Sequence, residues 1–415
     1  MNEEQQLNGL PESWRWMKLG EAVQVLDNLR KPINSSERQK RIENKSVEEL
    51  YPYYGATGQV GWIDDFITEG EYVLVGEDGA PFLDNFKEKA YKIKGKTWVN
   101  NHAHILKERE NISLTNFILH YLNSINYREY VNGTTRLKLT KGSLVEIPFP
   151  VPPKETQQQI VSKIEELFSE LDKGIEELQT AQQQLKVYRQ AVLKWAFEGK
   201  LTNKDIKDGE LPEGWTLQNI GSIAKLINGD RGKNYPNRNE YVDKGIAFIN
   251  TGHIEPNGKL SLETMHYLTR EKFNSLNSGK IQKGDLLYCL RGATLGKTAV
   301  VDQFEEGAIA SSLVIIRLNK EISNRFVYYF LTGPLGRDCI FRFDNGSAQP
   351  NLSAKSVTLY KIPLPSLDEQ LKVVQEIESR LSVCDKIEET ITSSLKQAEA
   401  LRQSILKKAF EGKLL

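Results

Sequence analysis

Three short stretches hold residue types that do chemistry in other proteins, and each fails on spacing or context. Gly292 to Thr298 reads GATLGKT. A phosphate-cradling loop needs four residues between its first glycine and the Gly-Lys pair, and a helix N-terminus after it. Here only three intervene, and the β-prone AVVDQF follows. A strand through NNHAHILK would put His102 and His104 on one face, a beginning of a metal site, but no Cys, Asp or Glu set at matching spacing completes it. Glu198-Gly199-Lys200 echoes a nuclease triplet, yet it recurs as Glu411-Gly412-Lys413 at the end of a second, similar helix and reads as a helix cap. A methyl-transferring enzyme would need a glycine-rich cofactor turn and an N/D-P-P-Y/F loop, and the PP pair of this chain, Pro152-Pro153, opens a helix instead. Neither a G-x-S-x-G elbow nor a zincin helix is present. The sequence offers no catalytic site.

What remains are polar loops whose side chains suit hydrogen bonding to the edges of bases. In the first half these are Tyr53, Tyr54 and Thr57, then Glu77 and Asp78, then Asn100, Asn101 and His102, and last Thr134, Thr135, Arg136 and Lys138. In the second they are Arg231 and Lys233, then Asn250, Thr251 and His253, then Arg291, Thr294 and Lys297, then Ser311 and Ser312, and last Gln349 and Asn351. Arg and Lys can pair with guanine, Asn and Gln with adenine, and acids can accept from cytosine. Taken singly, each is better explained as a solvent-facing or turn-stabilising residue than as a base contact; only the clustering points to recognition.

The elements that must hold these loops are announced by a repeat. PPKETQQQIVSKIEELFSELD to RQAVLKWAFEGKL, within Val151 to Leu201, has a gapless partner in PSLDEQLKVVQEIESRLSVCD to RQSILKKAFEGKL. Gln157 pairs with Gln370, Ile164 with Ile377, Arg189 with Arg402 and Gly199 with Gly412. Apolar or small residues run from Ile160 through Ile164, Leu167, Leu171, Ile175, Leu178, Ala181, Leu185, Tyr188 and Val192 to Trp195, a mean step of about 3.5. The second copy runs Val373, Ile377, Leu381, Cys384, Ile387, Ile391, Leu395, Ala398, Leu401, Ile405. Each copy is therefore predicted as one long helix with a coiled-coil seam, a rod of roughly 65 Å if straight. Pro152 and Pro153 open the first, Ser366 with Glu369 has capping-box spacing at the second, and Gly199 and Gly412 supply left-handed C-caps.

A second pair of motifs, LPESWRWMKLG from Leu10 and LPEGWTLQNIG from Leu211, opens each half. If the halves close about a pseudo-twofold axis, the chain termini should meet where the central link has its counterpart. The bodies between opener and helix share a frame but not their loops: GEYVLVGEDGA faces GDLLYCLRGA, WVNNHAHILK faces GAIASSLVIIRL, and SLTNFILHYLNS faces NRFVYYFLTG. The expected organisation is a first recognition body over 1–153, a long helix over 154–200, a second body over 201–366 and a second long helix over 367–415. The fold class is mixed α/β, with two pseudo-repeated α/β bodies and two long helices in an antiparallel coiled coil.

The 415 residues suffice for two or three domains, and 39% hydrophobic with 27% charged residues is a soluble, globular composition. No run approaches the ~20 apolar residues that cross a bilayer. The start, MNEEQQLNGLPESW, lacks a basic and apolar leader, so a cytoplasmic location is expected. Cys289, Cys339 and Cys384 have no metal-site spacing and read as reduced thiols. With 55 basic and 55 acidic residues, net charge argues neither for nor against nucleic acid.

The LPESW and LPEGW openers, the I-P-x-P before a long helix with E-Q-x-x-x-V-x-x-I-E, and the closing A-F-E-G-K-L together resemble the specificity subunit of type I restriction–modification systems. YYGATGQVGWIDDF and GATLGKTAVV resemble framework of that family's target recognition domains. The resemblance implies a non-catalytic, sequence-specific DNA-binding subunit. Each recognition domain would read one half of a bipartite, asymmetric double-stranded site, and the helices would fix the unread spacer. It also implies partners: two methyltransferase subunits that bind S-adenosylmethionine, and restriction subunits that use ATP and Mg, with no cofactor or metal in this chain. Thr156 stands where the family pattern has Glu, and RLKLT is less typical than QPNLS. The competing reading is a two-domain adaptor for a ligand other than DNA, dimerised through its helices.

Overall fold

The computed structural model describes residues 11–203, 205–343 and 351–415. The chain forms two compact units, one of residues 1–180 with 391–415, the other of 181–390. Both are mixed α/β and follow one plan.

In the first unit the opener strand Arg15–Lys18 pairs antiparallel with Pro148–Val151, closing the body at its base, with Arg15 opposite Val151. A six-stranded sheet follows in the order Val23–Val25, Ala103–Glu108, Thr68–Gly76, Ala90–Val99, Tyr51–Gly55, Gly58–Ile63. Its strand Thr68–Gly76 begins two residues before Gly70, which sits opposite Gly95 within the ladder. The amphipathic helix Thr115–Ser124 turns Phe117, Ile118, Tyr121 and Leu122 inward, the i, i+1, i+4, i+5 spacing of one helical face.

The second unit closes in the same way, Thr216–Asn219 against Lys361–Leu364. Its strands form two four-stranded sheets, Ala224–Asn228, Leu313–Leu318, Leu286–Cys289, Thr298–Val300 and His266–Leu268, Ile246–Ile249, Glu306–Ile309, Lys280–Gln282. The difference has a local cause. The ten-residue strand Ala90–Val99 pairs with neighbours at both ends, whereas its counterpart is interrupted by the polar Asp302–Glu305 segment into Thr298–Val300 and Glu306–Ile309, and each piece joins its own sheet. The helix Asn324–Thr332 buries Phe326, Val327, Phe330 and Leu331.

The two predicted long helices are Lys154–Phe197 and Leu367–Phe410, each 44 residues. Within the first unit Ile160 and Ile164 share a core with Ile405, Leu406, Ala409 and Phe410, and Asp172 pairs with Arg402. Within the second, Leu193, Ala196 and Phe197 share a core with Val373, Val374 and Ile377, while Arg189 bridges Asp385 at 2.7 Å and Glu388 at 2.9 Å. In both units one helix ascends as the other descends, so the segments are antiparallel. The Arg–Asp pairs are themselves repeats of one another. The seam is narrower than its period implied: Tyr188, Ile387 and Leu401 stay 38, 44 and 51% exposed.

Helix starts and ends follow the sequence. A fully buried glutamine anchors each start: Gln157 accepts from Leu114 N at 3.0 Å and donates to Ile112 O at 2.7 Å and Pro152 O at 3.0 Å, and Gln370 accepts from Ser323 N at 2.8 Å and donates to Pro365 O at 3.0 Å. Glu369, expected to cap its own helix, accepts from the Thr202 hydroxyl at 2.5 Å. Each end is a Schellman cap, with Gly199 at φ +77° and Gly412 at φ +70°, the following lysine N–H reaching back to Trp195 O at 2.9 Å and Lys408 O at 2.8 Å. Pro212 of the second opener lies against Gly199, and Pro11 of the first lies against Gly412. The first opener therefore closes on the end of the second long helix as the second opener closes on the end of the first, while the expected meeting of the termini themselves involves residues 1–10, which lie outside the described residues.

Candidate nucleic-acid interface

In the first unit, backbone hydrogen bonds lace the polar stretches together. Glu77 N donates to His102 O at 2.7 Å, Leu139 N to Glu77 O at 2.7 Å, and Asn100 N to Tyr54 O at 3.1 Å; Asp78 forms a bridge with Lys138. Four segments far apart in sequence thus end on one loop cluster at the end of the sheet. Its exposed members are Thr57, Asn101, Thr134, Thr135, Arg136 and Lys138. Glu77 and Asp78 are half-buried and already engaged, Glu77 by Arg30 and by Lys138 at 3.0 Å, Asp78 by His102 at 2.7 Å and Arg136 at 2.8 Å.

Below this surface, Asp27, Glu77 and His104 bring ligand-type atoms within 4.8 Å of one another. Spacing missed this group because its members are separated by tens of residues. A metal is not what the donor set fits. The His104 ring uses Nδ1 on Asp27 Oδ2 at 2.7 Å and Nε2 on Leu139 O at 2.8 Å, and the cations Arg30 and Lys138 already sit on the carboxylates. Burial would push Asp27 and Glu77 up, but the hydrogen bond and charge of His104 at Asp27, and those of Arg30 and Lys138 at Glu77, outweigh it and hold both below the usual carboxylate range. The cluster is a charge-balanced brace for the loops above it. His102 and His104 do not act together: His102 lies in the turn before the strand Ala103–Glu108 and faces Asp78.

The second unit builds an equivalent cluster from different residues. Arg231 donates to Ser311 O at 3.3 Å, Leu290 N to Ser312 O at 3.0 Å, Ala310 N to Ile249 O at 2.7 Å, and Lys297 Nζ to Ile254 O at 2.7 Å; Arg291 bridges Asn351. Arg231, Lys233, Arg291 and Asn351 are exposed, and Thr251, Thr294, Ser311 and Ser312 half-buried. Asp230 is buried, its two oxygens accepting from Gly232 N and Asn277 N at 2.7 Å, and those N–H groups hold its carboxyl below the usual range. Gln349 lies outside the described residues. Gly292–Thr294 is a short 3-10 turn that runs on to the strand Thr298–Val300, not to a helix that could hold phosphate.

Several expected contact residues turn out to support the loops rather than face outward. Tyr53 is 3% exposed and donates to Ile33 O. Tyr54 is half-buried and tilted against Tyr91. Asn100 is buried, with Oδ1 accepting from His102 N at 2.8 Å. Asn250 Oδ1 accepts from Gly252 N at 2.8 Å, and buried His253 accepts from Asn250 N at 3.1 Å. Lys297 spends its ammonium on Ile254 O. The side chain that sequence reasoning passed over is Arg30, which reaches Asn101 O at 3.4 Å and Ala103 O at 3.3 Å much as Arg231 reaches Ser311 O. Its signal was present: Arg30 and Arg231 are separated by the same 201 positions as Pro11 and Pro212 of the two openers.

Two units with matched frames, matched caps and unmatched loop clusters define a duplicated binding protein. The family model for the type I restriction modification DNA specificity domain matches residues 11–180 and 212–397, and the chain belongs to that family. A Haemophilus influenzae protein bearing the name of a type I restriction enzyme specificity subunit is 29% identical over 406 residues, covering 95% of this chain and 93% of the relative. The EcoKI specificity subunit of Escherichia coli K12 is 28% identical over 316 residues, covering 74% of this chain and 67% of its own. In fold, the chain is similar to one from a solved structure concerned with assembly and conformational transition of the type I R-M system, with TM-score 0.71, 18% identity, and coverage of 98% of this chain and 99% of that one. The HsdS subunit of Thermoanaerobacter tengcongensis gives TM-score 0.60 at 18% identity, covering 98% of both chains.

Proposed function

We propose that this chain is the specificity subunit of a type I restriction–modification complex. The body of 1–153 reads one half of a bipartite, asymmetric duplex site and the body of 201–366 the other, while the helices of 154–200 and 367–415 set the unread spacer. The observation that carries this reading is that each unit gathers its own polar loops into one cluster on a frame shared with the other unit, within a chain that belongs to a DNA specificity family. The chain does no chemistry itself. Two methyltransferase subunits using S-adenosylmethionine modify the site, and restriction subunits using ATP and Mg cleave, all in the cytoplasm. No helix among the described residues is long and apolar enough to cross a membrane, in keeping with that setting.

The test is assembly of the chain with a methyltransferase partner and titration of duplex DNA. Binding should be sequence-selective, and its non-specific part should weaken linearly in log–log form with salt as Lys and Arg contacts to phosphate are lost. An assembly that binds all duplexes equally, or none, refutes the reading.

A further inference from the structure

Among the exposed side chains of the first unit's loop cluster, Arg136 is held in an unusual way. Its side chain is 60% exposed, yet the guanidinium is fixed on two sides. Nη2 donates to Asp78 Oδ1 at 2.8 Å. Its Nε–Nη2 edge lies against Gly79: a Cβ placed there would lie 3.1 Å from Nη2 and 3.3 Å from Nε, tighter than an ordinary contact, and the φ of +73° is one that glycine adopts without strain. Asp78 is fixed in turn, since the same Oδ1 accepts from His102 Nδ1 at 2.7 Å, and the two loops are laced by Leu139 N to Glu77 O at 2.7 Å.

A guanidinium held this way is badly placed to bind phosphate. Its charge is already balanced by Asp78, and neighbouring Glu77 is itself balanced by Arg30 and Lys138, so an approaching phosphate meets little net attraction. A base edge is neutral and needs direction instead. With one Nη2 hydrogen committed to Asp78, the remaining donors of the fork still include a parallel pair, the arrangement that matches O6 and N7 of guanine. Fixing the fork beforehand also lowers the entropy lost on contact.

We propose, on the reading that this chain is a DNA specificity subunit, that Arg136 reads a guanine in the major groove of the half-site recognised by the first unit. Asp78 and Gly79 are its positioning residues. The assignment requires at least one position of that half-site to select guanine.

The experiment uses the full chain assembled with a methyltransferase partner, a library of duplexes varied across both half-sites, and the bound and methylated sequences as readout. Arg136→Ala should lower guanine preference at one position of one half-site by roughly 10- to 100-fold while leaving the other half-site unchanged. Arg136→Lys keeps the charge but loses the fork, and should lose most of the same preference. Asp78→Asn should lower it at that position only, an effect that general loosening of the fold would not confine to one base. Thermal unfolding of Arg136→Lys, the mildest change, confirms that the comparison is between folded proteins. The inference is overturned if the wild-type assembly selects no guanine in that half-site, if Arg136→Ala leaves every preference intact, or if Arg136→Ala weakens all sequences equally and Arg136→Lys restores them, the pattern of a phosphate contact. A wild-type assembly without any sequence selectivity sinks the functional reading instead, and is told apart from these by the wild type alone.

Discussion

Three glycines of the long helices should respond to alanine with opposite signs. Gly199 ends the first helix at φ +77°, and a Cβ there would lie 2.1 Å from Pro212 Cγ. The left-handed backbone costs an L-residue about 1–2 kcal/mol, and forcing the proline ring aside costs about 1–3 kcal/mol more. Gly199→Ala should therefore destabilise the second unit by about 2–5 kcal/mol. Gly412→Ala, at φ +70° and 2.6 Å from Pro11, should do the same to the first unit by a similar or smaller amount. Gly174, inside the first helix with nothing within 4 Å of its would-be Cβ, is the control; there alanine should add about 0.5–1 kcal/mol through helix propensity. Urea unfolding followed by tryptophan fluorescence reads all three, because Trp215 and Trp14 lie in the openers that pack on the caps. If Gly199→Ala and Gly174→Ala shift the midpoint equally, the packing of opener on cap contributes nothing and the account of how each body is closed is wrong.

Other outcomes follow from single contacts. Gln157→Leu removes the partner of three backbone groups at the start of the first helix and should cost on the order of 3–6 kcal/mol, measurable by the same unfolding assay; a loss under about 1 kcal/mol would mean that water replaces the amide. Burial, helped by neighbouring His266, pushes His253 below its ordinary value of 6.5. Its neutral form is the one the fold favours, so its contribution is complete above pH 6.5 and is lost as pH falls through the lower folded value. Wild type should be less stable at pH 5.5 than at pH 7.5, and His253→Gln should flatten that slope in parallel titrations; an unchanged slope would place the proton uptake elsewhere. Arg291→Ala should relax or abolish one half-site and leave assembly with the partner intact, read from methylation footprints; equal change in both half-sites counts against two independent readers.

The frame was legible because it is written in periodic and repeated signals. Helix limits at Lys154 and Phe197, and at Leu367 and Phe410, follow from a seam flanked by prolines and by Gly199 and Gly412. The seating of each opener on a helix end was foreshadowed by the two offsets, with Pro11 on Gly412 and Pro212 on Gly199 as its physical expression. The site was legible only as a set of loops. Side-chain direction at a turn is decided by partners far away in sequence, so the inward course of Tyr53, Asn100 and His253 could not be read locally. The brace of Asp27, Glu77, His104 and Arg30 was hidden for the same reason, since three separate segments supply it. Nor did hydropathy reveal that one long strand of the first sheet is split in the second, a difference that rests on the four polar and aromatic residues from Asp302 to Glu305.

The most direct measurement is to replace residues 201–366 with the corresponding body of a relative of different specificity, assemble the hybrid with the methyltransferase partner, and map every methylated base by single-molecule sequencing. Two independent readers on a common frame predict that one half-site changes while the other half-site and the spacer length persist. A hybrid that alters both half-sites, or that keeps the original site entire, contradicts the account.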